Sequence, residues 1–231
     1  EEIHDLVWGC NPYIKGIKEG KRNAGDIPEI DFINPNGYTS CITNWEELHG
    51  LKPTNKYPKI YYQPKKIDGF EEVMMVDLSS VSLKHGSNNN TYPPPYDPAV
   101  VKELYENIKK EHPGKIFAQV NFTNTISEET GDNRTGGKLN IIDVEIGTSV
   151  LVNNIFTYCD LMNSCYGIIG LFSGQSALSS AIMEYNPNLK SYCIVSSAVY
   201  EKHKQQSGFI FDNIEYLVIK EDQAIQQTSV H

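Results

Sequence analysis

From about residue 57 the apolar positions fall into short runs separated by segments of helical spacing. Val73-Met74-Met75-Val76-Asp77-Leu78 predicts a buried strand. A long polar stretch, Ser79 to Tyr96, follows it and ends in Pro93-Pro94-Pro95. Asp97-Pro98 then reads as an N-cap followed by a first-turn proline. Val101, Leu104, Tyr105 and Ile108 recur at i, i+3, i+4, i+7, and His112-Pro113-Gly114 stops the helix. Ile116 to Phe122 predicts a second strand and Ile141 to Ile146 a third. Asn153 to Cys165 predicts a helix with Ile155, Phe156, Leu161 and Met162 inward. Gly167 to Phe172 is the fourth strand, running into Ser173-Gly174-Gln175-Ser176 and a small-residue helix from Ala177 to Tyr185. Tyr192–Val195 and Ile214–Ile219 complete the strands, with a helix at about Ala198–Gln206 between them.

This alternation predicts an α/β domain, a Rossmann-like doubly wound parallel sheet, because right-handed crossovers place helices on both faces. Residues 1–56 differ. Cys10-Asn11-Pro12, Asn34-Pro35-Asn36-Gly37 and Lys52-Pro53-Thr54-Asn55 break them into pieces too short for a core. They read as the tail of a preceding domain plus a linker, and 57–231 as the domain proper. Glu1 at the start, without a leader pattern, predicts a piece of a longer chain.

Composition narrows the function classes. The 231 residues carry 20 Lys+Arg against 29 Asp+Glu, a net charge of −9, which disfavours nucleic-acid partners. No apolar run approaches the about 20 residues that span a bilayer. Five cysteines without C-x-x-C spacing predict reduced core thiols and a cytoplasmic location. Sequons at Asn89, Asn121 and Asn133 are about as many as this Asn-, Ser- and Thr-rich chain produces by chance.

In a doubly wound sheet of strand order 3-2-1-4-5-6, ligands sit beyond the strand ends, between the first and fourth strands. Two loops meet there. Ser173-Gly174-Gln175-Ser176 opens a helix, where backbone N–H groups and the helix dipole favour an anion, and Gly174 admits a close approach. The other loop offers Ser79, Ser80, Ser82, Lys84, His85 and Ser87. A diphosphate suits both, although the Ser-Gly pair also reads as a plain N-capped turn. Asp77 at a strand end reads either as catalytic or as a holder of loop amides. Asn121 and Thr123 are further candidates for nucleoside contacts. Other chemistry is missing from the pattern. The six histidines form neither H-x-H nor H-E-x-x-H, predicting no metal; there is no phosphate-binding G-x-x-x-x-G-K-[ST], no G-x-G-x-x-G after the first strand, and no G-x-S-x-G.

The runs Asn153–Cys165 and Gly167–Ala181, with the Ser-Gly turn inside the second, resemble the donor-binding half of GT-B glycosyltransferases. The heptosyltransferase-like group, which builds surface glycans, is the most similar. Asn11-Pro12-Tyr13-Ile14 and Tyr57-Pro58-Lys59-Ile60-Tyr61 resemble the end of the first GT-B domain and the entry to the second. The heptosyltransferase pattern has an acid before the turn and a histidine shortly after it, where this chain has Phe172 and Ala177. The resemblance implies a C-terminal donor domain that takes a nucleotide-diphosphate sugar as substrate, with no cofactor or metal. Ser79, Ser80, Lys84, Ser173, Gly174 and Ser176 would hold the diphosphate, and Gln175 would be a further donor-binding residue. A glycan acceptor and the N-terminal domain of the same full-length chain are the implied partners. The alternative reading is a non-catalytic nucleotide- or carbohydrate-binding module in a larger assembly.

Overall fold

The run Val73–Asp77 (β1) is buried along its whole length, as a strand covered on both faces must be. It lies at the centre of a six-stranded parallel sheet in the computed structural model, which describes residues 5–13, 52, 54–80, 96–122, 140–204 and 209–220. The other strands of the sheet are β3 (Ile116–Phe122), β5 (Ser149–Val152), β6 (Gly167–Leu171), β7 (Lys190–Ser196) and β8 (Glu215–Ile219). Two short strands outside it are β2 (Ser79–Ser80) and β4 (Asn140–Ile141). The lateral order is β5-β3-β1-β6-β7-β8, so counted along the chain the main strands run 3-2-1-4-5-6. The fold is α/β and Rossmann-like in general kind.

Helices form where the sequence supplies caps. In α1 (Pro98–Glu111) the Asp97 carboxylate accepts from the Ala99 amide at 2.8 Å. The chain leaves α1 through Gly114 at φ 84°, a conformation glycine adopts without a Cβ clash. In α2 (Ile155–Ser164) the Asn154 carboxamide oxygen takes the Thr157 amide at 2.7 Å. Ser173 caps α3 (Gly174–Ile182), and Ser196 caps α4 (Ser197–Lys202). Helix α4 is shorter than the expected Ala198–Gln206, whose last two residues lie outside the described ones.

The third strand is a correction. Expected at Ile141–Ile146, it lies at Ser149–Val152, paired with β3 through Asn121↔Leu151 and Phe122↔Val152. Ile141 instead pairs antiparallel with Ser79 in the β2–β4 ribbon. The alternating Ile142, Val144 and Ile146 do find a core, by packing onto the sheet rather than extending it. Glu145 explains why the run cannot continue as a strand: it sits at φ 58°, with its amide bonded to the Asp143 side chain at 2.8 Å.

Each face of the sheet buries its own apolar cluster. Val73, Met75, Ala118, Val120 and Ile168 pack against α2 and α3. Met74, Val76, Phe117, Ile169 and Leu171 alternate onto the other face, against Val101, Tyr105 and Ile108 of α1. Burying side chains of this size contributes about 1.5–3 kcal/mol each. The segment before β1 belongs to the first layer. Ile60, Tyr62, Ile67 and Phe70 pack against that cluster, and the polar stripe Asp160, Asn163, Ser164 of α2 clamps the backbone alongside. Asp160 accepts from the Tyr62 hydroxyl and the Lys65 amide, both at 2.8 Å, and Ser164 Oγ from the Ile67 amide at 2.7 Å. Leu6, from within residues 1–56, is also buried in this layer. Most of the remainder of 1–56 lies outside the described residues.

Glycine is required at the start of β6. A Cβ on Gly167 would stand 2.7 Å from the Lys190 carbonyl oxygen and 2.7 Å from the Met74 sulfur. The methionine can shift, but the carbonyl belongs to a paired strand. Gly167→Ala is therefore expected to cost about 1–3 kcal/mol in denaturant unfolding. An unchanged midpoint would show that β7 yields at this edge.

Candidate functional site

Strands β1 and β6 are adjacent, and the chain leaves them toward opposite layers, so the crevice between their carboxyl ends is the switch point of the sheet. Asp77, the last residue of β1, is the register partner of Gly170 in β6. Both follow the alternation of Met75 and Ile168, which places them on the face covered by α2 and α3.

Both carboxylate oxygens of Asp77 are bonded. One carboxylate oxygen accepts from the Ser79 hydroxyl and, at 3.4 Å, from the Ser79 amide. The other accepts from the Tyr158 hydroxyl of α2 at 2.6 Å. Burial pushes the Asp77 carboxyl above its ordinary range, while the bonds from Ser79 and Tyr158 act against that shift. The same burial, with the carboxyl beside it, pushes the Tyr158 phenol well up, so it stays protonated and donating. Of the two readings of Asp77, holder of a loop amide and catalyst, the contacts match the first. They tie the exit from β1 to α2. Tyr158 carries no motif; its place on the inward stripe of a helix was the only signal in the sequence.

The Ser173–Ser176 turn begins α3. Ser173 Oγ accepts from the Gln175 amide at 3.2 Å, and the Ser173 carbonyl accepts from the Ser176 amide at 3.1 Å and the Ser176 hydroxyl at 2.8 Å. Capping thus engages two of the first-turn amides and one hydroxyl. The Gly174 amide and the hydroxyl hydrogen of Ser173 have no bonded partner among the described residues. A Cβ on Gly174 meets nothing within 4 Å among the described residues, so their packing does not demand glycine there. The side chain of Gln175 turns inward. Its residue is 8% exposed, and neither its Nε2 nor its Oε1 has a hydrogen-bond partner among the described residues. The carboxamide fills the space above Gly170, where a Cβ would stand 2.7 Å from its Cδ. A lone glycine inside a strand pattern signals such a close approach.

No protein-family model, curated protein or solved structure matches this chain. The site is therefore read from its geometry. Ser79 lies at the crevice but donates its hydroxyl to Asp77. Ser80 follows it in β2. Asn121 is exposed near the end of β3, one strand away and alternating onto the opposite face with Phe117. Lys84 and Thr123, with Ser82, His85 and Ser87, lie outside the described residues. The structure thus brings Ser79, Ser173, Gly174, Gln175 and Ser176 to one switch point and sets Asn121 apart. Burial pushes the thiols of Cys159, Cys165 and Cys193 up to about 12, which leaves them without thiolate character at neutral pH. Among the described residues no group of three His, Cys, Asp or Glu is placed to hold a metal, and no helix is long and apolar enough to cross a membrane.

Proposed function

We propose that this chain is the donor-binding half of a GT-B glycosyltransferase, holding a nucleotide-diphosphate sugar for transfer to a glycan acceptor. One observation carries the reading: the amino end of α3 opens at the switch point of a 3-2-1-4-5-6 sheet, with Gly174 facing open space. The Gly174 amide, the Ser173 hydroxyl and the positive end of the helix dipole would take the diphosphate. Lys84 would add charge, and together these groups would stabilise the departing nucleoside diphosphate. Acceptor and catalytic base would come from a preceding domain of the full-length protein.

A thermal-shift screen against UDP, GDP, ADP, CDP and TDP and their sugars tests the proposal. Saturation at a hundredfold excess over Kd stabilises by about 2.7 kcal/mol, a readable rise in Tm. One nucleotide series is expected to respond, and silence from both this chain and the full-length protein would sink the reading. The bonding of Asp77 favours a second reading, a nucleotide-binding module without chemistry of its own, because that acid is already committed to Ser79 and Tyr158. Nucleotide binding by the full-length protein without turnover of any acceptor would select it.

A further inference from the structure

The carboxamide of Gln175 is the least satisfied group in the described structure. Both of its polar atoms are buried without a partner, whereas buried polar groups are nearly always bonded. An apolar residue would fill the slot above Gly170 without that penalty. The group belongs to the first turn of α3 and lies over Gly170, the register partner of Asp77 at the carboxyl end of β1, with both polar atoms closed off from solvent. It makes no bond to Asp77, whose carboxylate takes Ser79 and Tyr158 instead. The helix end and the orphaned amide are independent features, and they converge on one place.

We infer that Gln175 is a specificity-determining residue that hydrogen-bonds a vicinal pair of ligand hydroxyls once the diphosphate is seated at Gly174. A carboxamide presents one acceptor and two donors. Adjacent hydroxyls, each able to give and take one bond, complement it, whereas a phosphate offers acceptors alone. The inference rests on the donor-binding reading and adds to it the part of the ligand that is recognised. The diol has two sources in a nucleotide sugar, the ribose and the transferred sugar.

The test compares wild type with Gln175→Leu by calorimetry, using pyrophosphate, the nucleoside diphosphate found by the screen, its 2′-deoxy form and its sugar. Gln175→Leu is expected to keep pyrophosphate affinity, to bind the ligand that carries the diol about tenfold more weakly, and to melt at a higher temperature when ligand-free. A loss shared by the diphosphate and its sugar, and absent for the deoxy form, assigns the ribose. A loss confined to the nucleotide sugar assigns the sugar. Equal affinity of wild type and variant for every ligand overturns the inference while leaving the donor reading intact; water then serves the amide. An equal loss for pyrophosphate also overturns it, since the turn itself has then been distorted. Should neither this chain nor the full-length protein bind a nucleotide, the donor reading fails and this inference fails with it. Gln175→Met, of closer shape, repeats the comparison if the leucine variant does not fold.

Discussion

Gly174→Val is expected to weaken binding of the nucleoside diphosphate by at least about a hundredfold while leaving the unfolding midpoint almost unchanged. The stability half follows from packing: a Cβ at this position meets nothing within 4 Å among the described residues, and no positive φ demands glycine. Replacing glycine in a first helical turn moves stability by about 0.5 kcal/mol at most, because the lost permissiveness and the β-branching offset each other. The binding half follows from charge. A valine side chain would occupy the open space beside the Gly174 amide and the Ser173 hydroxyl, and each charge-assisted bond lost to a phosphate costs about 1.5–3 kcal/mol. Two such losses give the hundredfold. Calorimetric titration beside a denaturant melt checks both halves. Wild-type affinity in the valine variant would move the anion away from α3; a collapsed midpoint would show that the turn is under constraint from elsewhere.

The parts of this fold that were legible in the sequence are those fixed by local chemistry. Asp97-Pro98 announced α1 because a carboxylate one residue before proline satisfies an end amide at a place where proline forfeits nothing. The run at β1 announced a strand covered on both faces because none of its residues tolerates water. The third strand was misplaced because apolar alternation reports only that one side of a segment is buried. Ile142, Val144 and Ile146 meet that condition by lying on the sheet, and Ser149–Val152, with Ser149 and Leu151 exposed and Val150 only partly buried, carries almost no burial signal as an edge strand.

The candidate site was legible as a place in the fold and only partly as a set of contacts. Ser173 and Gly174 could be located because a strand running into a small polar turn and then a helix has few alternatives in this topology. What the hydroxyls bond to is decided by tertiary neighbours. Ser79 could not be assigned to Asp77, nor Asp77 to Tyr158, since 81 residues separate the last pair. Gln175 showed the same limit. Nothing local distinguishes a glutamine facing water from one folded over a glycine five residues earlier in sequence and buried beneath its own helix.

Asp77→Ala is expected to destabilise the protein by about 2–4 kcal/mol, and Asp77→Asn by far less. Alanine would leave the Tyr158 hydroxyl and the Ser79 amide buried without an acceptor and would open a small cavity. Asparagine keeps an oxygen for one of them and removes the ionisable group. The pH dependence separates the two effects. Burial holds the folded carboxyl above its ordinary range, so between that range and the folded value the native state binds more protons than the unfolded chain. Stability from this group is then complete below the unfolded value of about 3.9 and declines as pH rises through the folded value. Subtracting the denaturation free energies of Asp77→Asn from those of wild type between pH 4 and pH 8 cancels every other titrating group. The difference should move against wild type as pH rises. A difference that stays flat, or moves the other way, would mean that the hydrogen bonds from Ser79 and Tyr158 outweigh desolvation and hold Asp77 as an ordinary carboxylate. In that case the acid would carry its charge into the crevice beside α3, where it would repel the diphosphate and count against the proposed site.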